Sequence, residues 1–299
     1  MTNSVVEQSE LVAPRQVPND AKKQIGRVGR ARKSTFQIGL ALAWLVIAVV
    51  TVAAFFPSWF TSMDPLTGVA ADRLLPPSVE HLFGTDYLGR DLLSRVIYGT
   101  SQSLMGAFFA VTFGVVCGAG LGLLAGATGG ILDTLVMRVV DVLLSVPSIL
   151  LSLSVIIWLG YGTFNAAVAV GVTAVASFAR LMRSEVIRVR SLDYVEAAFG
   201  SGCKFGTVLI RHILPNSLGA VVSLTAIQFG TAILAISTLG FLGFGTPPPT
   251  PEWGLLIAEG RDYVATAWWQ TTFPGLTIVA VVMSASRISQ RSSREGRTS

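Results

Sequence analysis

Apolar residues in this chain come in long runs without a charge. Phe36–Phe56 holds 21 such residues, Val96–Leu132 holds 37, Val142–Ala179 holds 38, His212–Pro251 holds 40 and Tyr263–Ser286 holds 24. A helix crossing a bilayer needs about 20 mostly apolar residues, so every run is long enough. The Val142–Ala179 run is interrupted by Gly160-Tyr161-Gly162-Thr163-Phe164-Asn165, a turn-forming cluster that splits it into two helices joined by a tight hairpin. The Val96–Leu132 run opens with Tyr98-Gly99-Thr100-Ser101-Gln102-Ser103, too polar for mid-membrane, and so holds one helix. The pattern predicts an all-α, polytopic membrane protein with six transmembrane helices, at 36–57, 103–126, 138–159, 164–182, 217–241 and 268–288. The first is longer than the roughly 7–15 residues of a signal-peptide core, which favours a span over a cleaved leader.

Composition sharpens the picture by exclusion. Of 299 residues, 52% are hydrophobic and 13% charged, half the ~25% charged of a globular domain, so neither a soluble globule nor a disordered chain fits. Two cysteines exclude a disulfide scaffold and a four-cysteine zinc site, and two histidines leave little for a metal cluster. Cys117 and Cys203 read as separate reduced thiols, and neither His81 nor His212 has a second ligand nearby in sequence. No Asp, Glu, Lys or Arg lies deep in an expected span, whereas ion-coupled carriers usually need such a charge. There is no HExxH, no GxSxG and no nucleophile–base pair, so catalytic, cofactor and metal residues are expected to be absent.

The 22 basic residues set the expected orientation. Eighteen fall in the N-terminal tail, after the second span, between spans four and five, and in the C-tail; only Arg73, Arg90, Arg95 and Arg261 fall on the other side. Both termini and the loop 184–216 are therefore expected in the cytoplasm, with 61–98 and 242–267 outside. The basic excess belongs to topology and lipid headgroups, not to nucleic acid. Residues 1–33 read as a disordered tail, 34–290 as the transmembrane domain and 291–299 as a C-tail. Trp253, Trp268 and Trp269 are expected at the outer membrane interface, which favours amphipathic rings.

Two local patterns stand out. Gly106, Ala110, Gly114, Gly118, Gly122 and Gly126 repeat every four residues, a stripe that lets a second helix approach closely. It packs within one subunit or, in the sharper reading, at a subunit or pathway-lining face, with Gly114, Gly118 and Gly122 at its centre. In the cytoplasmic loop, Asp193-Tyr194-Val195-Glu196 has the spacing of a capping box opening a short helix, which Gly200 and Gly202 can end. A second helical stretch, Lys204–Leu214, is expected to stop at Pro215. A short helix showing Tyr194, Ala198 and Phe199 to the cytosol needs a cover, either a partner protein or the membrane surface.

Three segments carry a resemblance. Glu196-Ala197-Ala198, three residues, Gly202, nine residues and His212-Ile213-Leu214-Pro215 resembles the EAA signature of ABC importer permeases, with His212 in place of the usual isoleucine. His81 to Gly99, with Gly84-Thr85-Asp86, Gly89-Arg90-Asp91 and Ser94-Arg95, resembles a signature of the dipeptide, oligopeptide and nickel permeases. Gly240–Gly245 followed by Pro247–Gly254 is similar to that branch's external segment before the last span. The resemblance covers about residues 36 to 285, and the long first external loop looks like the C-type subunit. It implies the type I ABC importer permease fold in a bacterial inner membrane. It also implies a homologous B-type permease, two ATP-binding subunits or domains and an extracytoplasmic substrate-binding protein as partners. ATP and Mg would be bound by those ATPases and none by this chain. The residues Asp193, Tyr194, Glu196, Ala197, Ala198, Gly202, His212, Leu214 and Pro215 would form the helix that docks into the ATPase, small alanines permitting close contact and Gly202 the bend. The implied cargo is a di- or oligopeptide, with nickel, an opine-type metallophore or glutathione as alternatives; an ion-coupled secondary transporter is the alternative of another class. The C-terminus departs from the family pattern, with Ser284-Ala285-Ser286-Arg287-Ile288-Ser289-Gln290 leading into a basic, serine-rich tail.

Overall fold

A helix labelled α1, Gly39–Phe55, is the first element of the computed structural model, which describes residues 39–295 and the side chains of 39–290. The tail 1–33 lies outside the described residues. The chain divides into the units Met1–Ala41 and Leu42–Ser299, and only the opening residues of α1 represent the first. In the second unit, Val46, Ile47 and Val50 of α1 pack on the core. The segment that follows is irregular, with 3₁₀ turns at Pro57–Trp59 and Ala70–Asp72, until Asp91 starts α2 by accepting a hydrogen bond from the Ser94 amide at 2.8 Å.

Helix α2 (Leu92–Thr128) carries a π-helical turn at Gly114–Ala119 and ends at Gly129, whose φ of +66° suits glycine. Helices α3 (Gly130–Ser145) and α4 (Ser148–Leu159) meet at an angle of 100°. A hairpin at Gly160–Gly162 leads to α5 (Thr163–Arg190), then α6 (Asp193–Gly200), α7 (Phe205–Phe241), α8 (Trp253–Gly260) and α9 (Trp269–Glu295). No strand occurs among the described residues. Among the described residues four helices, α2, α5, α7 and α9, are long and apolar enough to cross a membrane, and the bent α3–α4 pair is apolar enough to make a fifth if it acts as one broken span. Helix α1 is apolar and shorter. At ~1.5 Å per residue, α2 and α7, each of 37 residues, run ~55 Å, well beyond a ~30 Å hydrocarbon layer.

The expected span at 138–159 needs correction. It is not one helix, because Pro147 lacks an N–H and drives Val146 into extended backbone (φ −90°, ψ 133°). The hairpin after it forms as its glycines suggest: Gly160 and Gly162 adopt φ of +87° and +128°, and the Asn165 amide donates to the Leu159 carbonyl at 2.9 Å. Pro215 does not end a helix. It sits in the first turn of the α-helical part of α7, directly after a π-helical turn at Leu209–Ile213, where a missing N–H costs least.

Helix α5 is the centre of the bundle. More than half of its apolar window is buried (56%, against 28–33% in α2, α7 and α9), and it touches α2, α3, α4 and α7. Small residues make this possible: Ala166, Ala167, Ala169, Ala176 and Ala179 are fully buried. The two ends of the bundle differ, one closed by α6 and the other by the 57–91 segment and α8.

Candidate functional site

At the α6 end the EAA segment forms a compact knuckle. Val195 is fully buried on the core that also holds Val208 and Ile213. The rings of Tyr194 and His212 meet edge to face at 6.2 Å, and those of Phe199 and Phe205 stack at 6.5 Å. The two halves of the signature, 196–202 and 212–215, are thus held against each other: Leu214 packs on the core and Pro215 is exposed. Asp193, Glu196, Ala197 and Gly202 are exposed, and Ala198 is half-buried. The capping box does not form. Leu192 is the N-cap and no side chain caps the helix; the Val195 and Glu196 amides both donate to the Leu192 carbonyl. The helix therefore starts one residue early, and Asp193 and Glu196 lie in its first turn, where negative charge is favoured. Its far end closes with Cys203 N–H donating to Ala198 and Gly202 N–H to Phe199, a Schellman closure that puts Gly202 at φ +83°.

The knuckle is tied to the bundle. Arg190 at the end of α5 donates to the Ala127 carbonyl near the end of α2 at 2.9 Å. Arg183 forms a two-pronged pair with Asp133, and Arg180 pairs with Asp141, fastening α3 to α5.

At the α8 end all eight residues of the second signature converge. Asp86, 2% exposed, accepts from Arg90 Nε at 2.6 Å, Arg95 Nη1 at 2.6 Å and the Leu88 and Arg90 amides. Arg95 also donates to Glu259 of α8 at 2.7 Å, and Arg90 lies 3.6 Å from the same oxygen. Thr85 is fully buried, its hydroxyl donating to Asp72 and accepting from the Leu75 amide. Ser94 exchanges a hydrogen bond with Thr61 at 2.6 Å, and Asp91 holds His81 at 2.9 Å. Gly84 and Gly89 adopt φ near +75°, and a Cβ on Gly89 would lie 1.9 Å from the Val69 carbonyl oxygen.

Three participants have a role here that local sequence does not show. Glu259 joins the arginines from 164 residues away. Trp253 and Trp269, expected at the lipid interface, are buried instead, donating to the Val96 and Thr85 carbonyls at 3.0 and 3.1 Å; Trp268 is exposed. Beside Trp253, the fully buried Glu252 caps α8 by accepting from the Gly254 and Leu255 amides. Burial pushes its carboxyl up to about 7, with those amides and Ser103 pulling the other way.

The glycine ladder faces α5 of the same chain. A Cβ on Gly114 would meet Ala174 at 2.7 Å, on Gly118 the Val175 carbonyl at 2.4 Å and on Gly122 the Ala179 carbonyl at 2.3 Å. Among the described residues no group of three His, Cys, Asp or Glu could hold a metal.

Residues 118–295 match the family model described as binding-protein-dependent transport system inner membrane component. The chain belongs to that family. It is therefore a multi-pass membrane permease. It is 39% identical to a dipeptide transport system permease protein of Alkalihalophilus pseudofirmus, over 91% of this chain and 90% of that one. It is 37% identical to a probable D,D-dipeptide transport system permease protein of Escherichia coli, over 84% and 88%. A glutathione transport system permease protein of Pectobacterium atrosepticum is 37% identical over 81% of each. The fold is similar to that of a methionine ABC transporter in an inward-facing conformation, with a TM-score of 0.53 at 20% identity, covering 67% of this chain and 97% of the other. An amino acid ABC transporter gives 0.54 at 15% identity, covering 68% and 94%.

Proposed function

We propose that this permease is the C-type subunit of an ATP-driven importer of di- and oligopeptides, forming half of the translocation pathway. Helix α6 carries this reading. It is short, exposes Glu196 and Ala197, and is packed firmly on the base of α7 directly after α5, so a push on it reaches the central helix and its neighbours. It docks into a cleft on a cytoplasmic ATPase; ATP and Mg are bound there, and this chain contributes no catalytic residue. A homologous B-type permease supplies the other half of the pathway, and an extracytoplasmic binding protein delivers the cargo to the α8 end. Charge supports this orientation, with both termini in the cytoplasm: of the four basic residues at the α8 end, Arg90 and Arg95 are buried in ion pairs. The peptide cargo follows the names of the relatives, and glutathione, itself a tripeptide, stays within that chemistry. Family membership displaces the ion-coupled alternative.

The test is uptake by proteoliposomes holding the assembled importer and its binding protein. ATP-dependent dipeptide accumulation that persists when ion gradients are collapsed is expected. Accumulation that follows a gradient without ATP would overturn the reading.

A further inference from the structure

The break between α3 and α4 opens a cavity of about 530 Å³ against α5 and α7, within the roughly 300–1,000 Å³ of small-molecule sites. None of its lining residues is charged, and none is His or Cys. Hydroxyl and amide side chains line much of it, and several are committed to their own helices: Ser145, Thr173, Thr231 and Thr238 donate to backbone carbonyls three or four residues back. Ser148, Ser152, Ser177 and the Gln228 amide nitrogen donate no hydrogen bond among the described residues. Ser152 is the telling one, since it is 3% exposed and still faces the cavity without a partner.

The backbone at the break is uncommitted too. Helix α4 has no side-chain cap, and its first donated bond comes from Leu151 to the Pro147 carbonyl, leaving the N–H groups of Ser148, Ile149 and Leu150 unbonded within the helix. On the other side, the Leu143 carbonyl lies four residues before Pro147, which has no N–H to give. Leu143, Ser148 and Ile149 all line the cavity. A helix N-terminus suits a carboxylate and a helix C-terminus an ammonium group, while Ser152, Ser177 and Gln228 offer hydrogen bonds to amides. A free metal cation would find no carboxylate, imidazole or thiolate.

We propose that this cavity is a site on the transport path that reads the main chain of a di- or tripeptide, its amides and termini, and is indifferent to its side chains. The proposal rests on the peptide-importer reading above. The experiment uses the complete importer in proteoliposomes and a panel of alanyl-alanine, lysyl-alanine and glutamyl-alanine. Ser152→Ala and Gln228→Leu should each slow uptake about fivefold, the value of one hydrogen bond, by the same factor for every peptide. In a Cys117→Ser, Cys203→Ser background, peptide and ATP should also slow methanethiosulfonate labelling of Ser152→Cys and leave an exposed α2 position, Val116→Cys, unaffected. A loss confined to one side-chain class, unchanged uptake in both variants, or labelling that ignores peptide would overturn the site. A wild-type complex that takes up none of the three peptides would overturn the peptide reading first and the site with it.

Discussion

Arg95 shows how much a single side chain can hold in place. It is fully buried between Asp86 and Glu259, yet its Nε and Nη2 and the Glu259 Oε1 find no hydrogen-bond partner among the described residues. A buried ion cluster with loose ends is a poor source of stability. What it supplies is register, locking the 81–95 segment to α8. Arg95→Met should destabilise the protein by about 3–5 kcal/mol, because it strands buried carboxylates; thermal unfolding in detergent measures this, and adding Glu259→Leu should recover part of the loss. Glu252 is the second case. The native state keeps its proton up to about pH 7, whereas the unfolded chain loses it near the ordinary 4.5. Native protein therefore binds the extra proton across that window, and stability falls as pH rises through it, then levels off. Glu252→Gln keeps an oxygen to cap α8 and should remove this slope, so its unfolding temperature should exceed that of wild type at pH 8 and not at pH 4. A slope unchanged by the substitution would show that another group sets it.

Elements were legible in the sequence where the cause is local. The hairpin at Gly160–Gly162, the bend at Gly202 and the close approach at the glycine ladder follow from what glycine permits. The break at Val146–Pro147 carries a local signal as well, but a run of apolar residues long enough to span hides it. The short helix α6 takes Leu192 rather than Asp193 as its cap, because the backbone turn after α5 already supplies the first acceptor. The contact of α2 with α5 gives a direct test of the element scale. Gly118→Ala would push a methyl carbon against the Val175 carbonyl at 2.4 Å, and should lower the unfolding temperature by several degrees; an unchanged temperature would mean that the helices are free to separate. Gly202→Val forces a β-branched residue into positive φ, a strain of about 1–3 kcal/mol. It should reduce coupled ATP turnover with membrane insertion intact, because open space surrounds that position.

Across the whole molecule the chain reads as a transmission. The long helices α2 and α7 join the α8 end to the α6 end, α5 carries the core between them, and ion pairs and arginine contacts fasten the joints. The all-helical, multi-pass plan was visible from run lengths, since these are set by the bilayer, although the run at 138–159 proved to be two helices meeting at a sharp bend. The pairing of Glu259 with arginines 164 residues away was not, nor was the burial of Trp253 and Trp269, because charge balance and lipid exposure at those positions depend on which loops meet. The central claim is that α6 faces the cytoplasm and engages an ATPase. Single cysteines at Ala197 and Ser78, with Cys117 and Cys203 replaced, test it in intact cells with an impermeant maleimide and a bifunctional cross-linker. Ser78→Cys should label from outside, and Ala197→Cys only after permeabilisation, cross-linking to the ATPase subunit; labelling of Ala197→Cys from outside, or no cross-link in an assembled, transporting complex, would contradict the account.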